Sequence, residues 1–288
     1  MLPDLKKYER FQDLTNGRVR YYEAGEGDDH TFLLHGMGTQ TSADTFAFIF
    51  EKLAEKLHVY NIDMLGFGKS TRQMAYGPTF EVIIDGIREF MDVKGLSKVN
   101  LIGHSAGGWF GSILAYESPD RINKLVMIGS AGMNVTPVAT VSSPPKPSLE
   151  GSLAGTRAAV YEGSDFTPEQ ATWLGENMFE MATQPGVAEG GMRPLLNQMA
   201  TPEIRNHWLI QRRLPYIKAP TLVIWGKGDT MEPFPTWTEE WEKIGGDVSK
   251  SSKPWVIPGA KYVLVDAGHN SHWERPTEIS DMILDFLK

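Results

Sequence analysis

Six short apolar runs punctuate the chain: Thr31–Leu34, Val59–Ile62, Val99–Ile102, Leu125–Ile128, Thr221–Trp225 and Tyr262–Val265. Runs this short with almost no polar alternation suit strands buried on both faces, as in a parallel sheet covered by helices. Between them the period changes. Phe80, Ile83, Ile84, Ile87, Phe90 and Met91 draw one apolar stripe, which predicts a helix starting near Thr79. Ile279, Met282, Ile283, Phe286 and Leu287 repeat the pattern near the end of the chain, with Thr277 in the capping position. Strands alternating with helices predict an α/β architecture with a mostly parallel central sheet.

The alternation stops between about Thr136 and Arg213 and resumes with the strand at Thr221. The intervening stretch carries helix-like pieces such as Pro168–Met181, with Trp173, Met178, Phe179, Met181, Met192, Met199 and Trp208 spread through it. It reads as a helical excursion between two strands of the sheet, giving a core of residues 1–135 and 213–288 and a cap or lid of residues 136–212. The Met and Trp side chains are expected to form the small core of that excursion. The three prolines of Ser142–Ser148 forbid both helix and central strand, which marks a linker.

Composition narrows the chemistry. The chain has 288 residues, enough to bury a large core, and 41% of them are hydrophobic, which excludes disorder as the main state. Lys and Arg number 28 against 36 Asp and Glu, for a net charge of −8, so the field that gathers nucleic acid is missing. The absence of Cys removes disulfides, thiolate metal sites and a cysteine nucleophile. The first residues lack a signal-type apolar stretch, and no run approaches the ~20 apolar residues of a bilayer span. The expectation is a cytoplasmic protein, monomer or homodimer, that acts on a small molecule without cofactor or metal and binds neither nucleic acid nor membrane.

Directly after the strand ending at Ile102 stands Gly103-His104-Ser105-Ala106-Gly107-Gly108, followed by the helix-compatible run Trp109–Tyr116. A Gly-x-Ser-x-Gly sequence between strand and helix holds its serine in a sharp, strained turn, where a side chain at either glycine would collide. A neutral serine needs a base, and the base needs an acid to fix its tautomer. Thr221–Trp225 leads into Gly226-Lys-Gly-Asp229, and Tyr262–Val265 leads into Asp266-Ala-Gly-His269, so both partners leave strands at the same edge as Ser105. Rivals are His272 for the base, and Asp266 or Glu232 for the acid. The chain carries Gly129-Ser-Ala-Gly132, without a carboxylate, after the preceding strand.

Two amides should converge on a developing oxyanion: that of Ala106, next to the serine, and that of Met37 in the turn His35-Gly36-Met37-Gly38. His35, Gly36, His104 and Trp208 are candidate substrate contacts, although His35 and His104 also suit buried roles in holding their turns. The Gly-rich turn Asp63-Met-Leu-Gly-Phe-Gly-Lys-Ser70 reads as structural.

In order along the chain, HGMG, DMLGFGKS, GHSAGG, WGKGD and AGH resemble the α/β-hydrolase fold superfamily over most of the length outside the excursion. DMLGFGKS and IGSAGM are similar to the meta-cleavage-product hydrolases, which split carbon–carbon bonds in vinylogous diketo acids, and to related serine esterases. The resemblance implies a serine hydrolase acting on a small, rather apolar carbonyl compound through Ser105, Asp229 and His269. On the same residues a slow ligand-sensing receptor or a cofactor-free haloperoxidase or perhydrolase is the alternative. Two positions depart from the narrower family: Asn270 follows His269 where Trp is usual, and His207 rather than Arg precedes Trp208. The 40 positions from Asp229 to His269, with Trp237, Trp241 and Trp255 among them, exceed what one crossover needs.

Overall fold

The apolar strand runs alternate their side chains between two helical layers, and this division builds the fold. We describe a computed structural model of the chain, covering residues 2–133, 146–187, 191–231 and 257–288. Glu232 and the tryptophans at 237, 241 and 255 lie outside the described residues, as does most of the proline-rich linker. The strands are β1 (Glu9–Leu14), β2 (Gly17–Ala24), β3 (His30–Leu34), β4 (His58–Ile62), β5 (Val99–His104), β6 (Ile122–Ile128), β7 (Thr221–Gly226) and β8 (Lys261–Val265). Among the described residues they form one sheet in the order β1-β2-β4-β3-β5-β6-β7-β8. From β4 to β8 every pairing is parallel, while β1-β2 and β2-β4 are antiparallel.

On one face Phe32, Leu34, Leu101, Leu125, Met127, Val223 and Trp225 pack against α2 (Phe80–Val93) and α3 (Ala106–Glu117). On the other, Leu33, Ile102, Val126, Ile128, Leu222 and Ile224 pack against α1 (Ala47–Ala54) and the last helix, Pro276–Leu287. The six predicted strands and the helix at Phe80 are all present, and Thr79 caps that helix by accepting the Val82 N–H at 3.3 Å. The last helix starts differently from the expectation. It begins at Pro276 with no side-chain cap, so Thr277 lies inside its first turn, because a proline's fixed φ and missing N–H suit the first helical position.

The β1-β2 hairpin escapes the apolar pattern. β1 is polar and largely exposed, as befits an edge strand that must not recruit another chain. β2 hides an arginine: Arg20 is 1% exposed, and its guanidinium donates to Asp63 Oδ2 at 2.6 Å and Oδ1 at 2.9 Å. It also donates to Asp44 at 3.2 Å and to the Tyr22 hydroxyl at 2.6 Å, while Tyr22 in turn donates to Asp44 at 2.5 Å. Burial alone would raise the Asp44 pKa, but the Arg20 charge and the hydrogen bonds from Tyr22 and Ser42 outweigh it and hold the carboxyl low.

Between β6 and β7 lie α4 (Leu149–Ala158), α5 (Pro168–Ala182), α6 (Arg193–Ala200) and α7 (Pro202–Trp208). Met178 and Leu174 join Phe166 and Trp273 in a satellite cluster, but Met192, Met199 and Trp208 merge with the main core. The expectation that the Met and Trp residues form only an excursion core is corrected for these three, since the segment is packed onto the sheet layer itself.

Replacing Arg20 by Met leaves two buried carboxylates without their counter-charge, a loss of roughly 3–5 kcal/mol. The expected outcome is a lower urea midpoint with an unchanged transition slope, read by circular dichroism.

Candidate active site

Three loops leave the carboxyl ends of β5, β7 and β8 and meet. Ser105, between β5 and α3, has φ 52° and ψ −119°, and is the one non-glycine with positive φ among the described residues. Such a backbone costs about 1–3 kcal/mol and persists only where its surroundings over-determine it. Here the Ser105 N–H donates to the Ile128 carbonyl at 2.9 Å, and its own carbonyl accepts the N–H of Ala131 at 3.1 Å and of Trp109 at 3.2 Å. The flanking glycines are required by contact: a Cβ on Gly107 would stand 1.9 Å from the Leu34 carbonyl oxygen, and one on Gly103 2.4 Å from Gly107.

His269 and Asp229 come together as expected. Their Nδ1 and Oδ2 atoms are 2.7 Å apart, both residues are buried, and the Met231 N–H holds the other Asp229 oxygen at 3.0 Å. With Nδ1 donating to the carboxylate, Nε2 is left as the basic nitrogen. The Ser105 hydroxyl makes no hydrogen bond to it among the described residues, but the loops lie close together. His104 Nε2 donates to the His269 carbonyl at 3.1 Å, and a Cβ on Gly129 would lie 3.3 Å from His269 Nδ1 and 3.2 Å from Asp229 Oδ2. In apo structures a serine–histidine contact is often long and tightens only with substrate.

The Met37 and Ala106 amides donate to no protein acceptor among the described residues. Ala106 is the first residue of α3, so its N–H belongs to the unsatisfied end of the helix. A Cβ on Gly36 would lie 3.3 Å from Ser105 Cβ, which brings the turn bearing Met37 against the serine.

Three candidate substrate contacts have other duties. His35 is fully buried; its Nδ1 donates to the Gly36 carbonyl at 2.7 Å and its Nε2 accepts the Met64 N–H at 3.2 Å, so it holds the turn instead of facing a ligand. His104 is occupied by the His269 carbonyl. Trp208 stacks on Phe80 at 5.1 Å and 7°, and its carbonyl accepts the Trp109 indole at 2.7 Å. Of the rivals, Asp266 is exposed, and the His272 ring is fully buried between Phe46 and His104, at centroid distances of 4.9 and 4.4 Å.

The sequence reading missed Glu274. Its fully buried carboxylate accepts the Gly268 N–H at 2.5 Å, directly before His269, and burial pushes its pKa up. The one available signal was its place five residues after His269, in the short helix that follows it. Among the described residues no three His, Asp or Glu side chains converge as a metal requires. A cavity of about 300 Å³ adjoins His269, walled by Ala159, Tyr161, Gly228, Thr230 and Gly268, and Ser105 is not among its walls.

With this geometry in place, comparison with known proteins gives the family. The model of the alpha/beta hydrolase fold matches residues 32–276, and the chain belongs to that family. A 2-hydroxy-6-oxononadienedioate/2-hydroxy-6-oxononatrienedioate hydrolase of Paraburkholderia phymatum is 28% identical over 287 residues, covering 95% of this chain and 92% of the relative. A 2-hydroxy-6-oxo-6-phenylhexa-2,4-dienoate hydrolase of Comamonas testosteroni is 25% identical over 96% of this chain and 93% of its own. Among solved structures, the 2-hydroxy-6-oxo-6-phenylhexa-2,4-dienoate hydrolase of a Rhodococcus species superposes with a TM-score of 0.75 at 21% identity, over 96% of this chain and 97% of that one. No helix among the described residues is long and apolar enough to cross a membrane.

Burial, with the neighbouring His269, drives the His272 pKa down to about 3, whereas an imidazole in the unfolded chain titrates near 6.5. The folded state therefore binds fewer protons between those values. This contribution to stability is present above the unfolded pKa and is lost as pH falls from there towards 3. For His272→Phe the difference in unfolding free energy between pH 8 and pH 5 should shrink by about 2 kcal/mol, measured by urea titration at both pH values.

Proposed function

We propose that the protein is a serine hydrolase that cleaves the carbon–carbon bond of a 2-hydroxy-6-oxo-dienoate-type acid. Ser105 attacks the ketone carbonyl, His269 takes its proton, Asp229 holds the histidine tautomer, and the amides of Met37 and Ala106 receive the oxyanion. The observation that carries this reading is the buried 2.7 Å Asp229–His269 pair beside a serine held at positive φ. The substrate class rests on relatives of nearly full mutual length whose names share the 2-hydroxy-6-oxo acid.

The chemistry is consistent with that class. Carbon leaves a tetrahedral centre only as a stabilised enolate, and a dienol that has tautomerised to its keto form supplies one. The proton that His269 took from Ser105 passes to the leaving carbon. His269 then takes a proton from water, which attacks the acyl-serine, and returns it to Ser105 as the fragment departs as a carboxylic acid. A neutral His104 and His272 at the back of the site do not compete for that proton: burial, then mutual repulsion with neighbouring imidazoles, holds His104 well below its ordinary pKa.

In this reading residues 1–135 and 213–288 form the catalytic core and residues 136–212 the cap. The protein acts in the cytoplasm, as monomer or homodimer, on a small molecule. The net charge of −8 supports a partner other than nucleic acid.

Ser105→Ala should lower kcat by ~10³-fold or more on 2-hydroxy-6-oxo-6-phenylhexa-2,4-dienoate, followed by the fading of its conjugated absorbance. Parallel assays with p-nitrophenyl acylates and short lactones rank the chemistries. Full turnover in the variant overturns the serine mechanism, and esters preferred over every dienoate overturn the substrate class.

A further inference from the structure

The turn that carries Met37 is held at both ends by one other loop, the Gly-rich stretch from Asp63 to Arg72 after β4. At the start, the Met64 N–H donates to His35 Nε2 at 3.2 Å, and His35 Nδ1 closes onto the Gly36 carbonyl at 2.7 Å. At the far end, Arg72 Nη1 donates to the Thr39 carbonyl at 3.3 Å, two residues beyond Met37. The same guanidinium reaches three other carbonyls: Gly68 from Nε at 3.1 Å, Gly66 from Nη1 at 3.5 Å, and Met181 from Nη2 at 3.1 Å. Met181 lies in the last turn of α5, the end where unsatisfied carbonyls and the negative pole of the helix attract a cation.

Arg72 is 4% exposed, and among the described residues it forms hydrogen bonds to carbonyls but no ion pair with a carboxylate. Burying a guanidinium is expensive, and a residue serving packing alone would be replaced by an apolar side chain without loss. What arginine supplies here is its rigid planar fork, which aims donors at two core loops and the cap at once. The cap closes tightly over it: a Cβ on Gly186 would lie 2.9 Å from Arg72 Cβ.

We infer that Arg72 is a positioning residue for the Met37 amide, and that it couples the seat of this oxyanion turn to the docking of the α5 end of the cap. The inference rests on the reading of Met37 and Ala106 as oxyanion donors. When the cap segment is docked, four carbonyls engage four of the five donors of the fork and Thr39 is fixed. When it lifts, the guanidinium loses its Met181 partner and the Thr39 contact loosens with it, so the oxyanion donors are complete only in the closed state. Burial lowers the Arg72 pKa to about 10, so the group still carries its charge at neutral pH.

Arg72→Met, Arg72→Lys and Arg72→Ala, in the full chain, test this with three readouts: kcat and KM on a turned-over ester or dienoate, affinity for an alkyl boronic acid, and thermal midpoint. A boronate takes up the tetrahedral geometry and so reports on the oxyanion donors. Arg72→Met should lose about 10- to 100-fold in kcat with KM within about threefold, and boronate affinity should fall in parallel. Arg72→Lys, which keeps the charge but not the fork, should fall between, and added methylguanidinium should restore part of the kcat of Arg72→Ala. Parental kcat in folded Arg72→Met or Arg72→Lys overturns the inference, as does a kcat loss without a matching loss of boronate affinity. If the Met and Ala variants do not fold, Arg72→Lys decides alone by the same two readouts. Ser105→Ala run alongside separates the two claims, because its full turnover would remove the hydrolase reading itself.

Discussion

The close approach of α3 to β3 governs the rest of the site. With Gly107 pressed against the Leu34 carbonyl, the helix starts so near the sheet that the residue before it has no ordinary backbone conformation left. Ser105 takes up that strain and is kept there by hydrogen bonds from two directions, to the end of β6 and to the first turn of α3. Strain of a kcal/mol or more at one residue is tolerated because the two-layer core around it is continuous and rigid. The unpaired Ala106 amide follows from the same contact, since the helix must begin immediately after the serine.

Around His269 the protein arranges groups of contrasting electrostatic character. Asp229 is the acid that faces Nδ1, while His104 and His272 pack their rings within 4.8 Å of one another or of His269 and are held neutral by burial. Glu274 sits behind the loop and grips the amide of Gly268. The His269 ring thus faces Asp229 with the neutral His104 ring 4.8 Å away, and its backbone is held through the Gly268 amide and its own carbonyl.

The sequence made the loop ends legible because chemistry there depends on chain-local motifs. Ser105 between its glycines, and Asp229 and His269 after their strands, could be placed from the strand runs alone, and so could both helical layers. The β1-β2 hairpin could not, because its strands are polar at the edge and its inward arginine looks like a surface residue until Asp63 and Asp44 are seen beside it. Trp208 and His35 were legible as important positions but not as what they do. Nothing local in the sequence reveals that Trp208 stacks on Phe80, or that both nitrogens of His35 are committed to the backbone. Arg72 was hidden for the same reason, since carbonyl acceptors leave no trace in a pattern of side chains.

The Arg20 network also bears on how the chain comes to fold during synthesis. Arg20 and Tyr22 leave the ribosome well before Asp63, 43 residues later, and β2 pairs in the sheet with β4 instead of with the strand that follows it. The amino-terminal hairpin therefore has no complete partner when it emerges. Its guanidinium gains its full set of buried partners only once Asp44 and Asp63 have been made, so the hairpin cannot take its final seat before β4 is available.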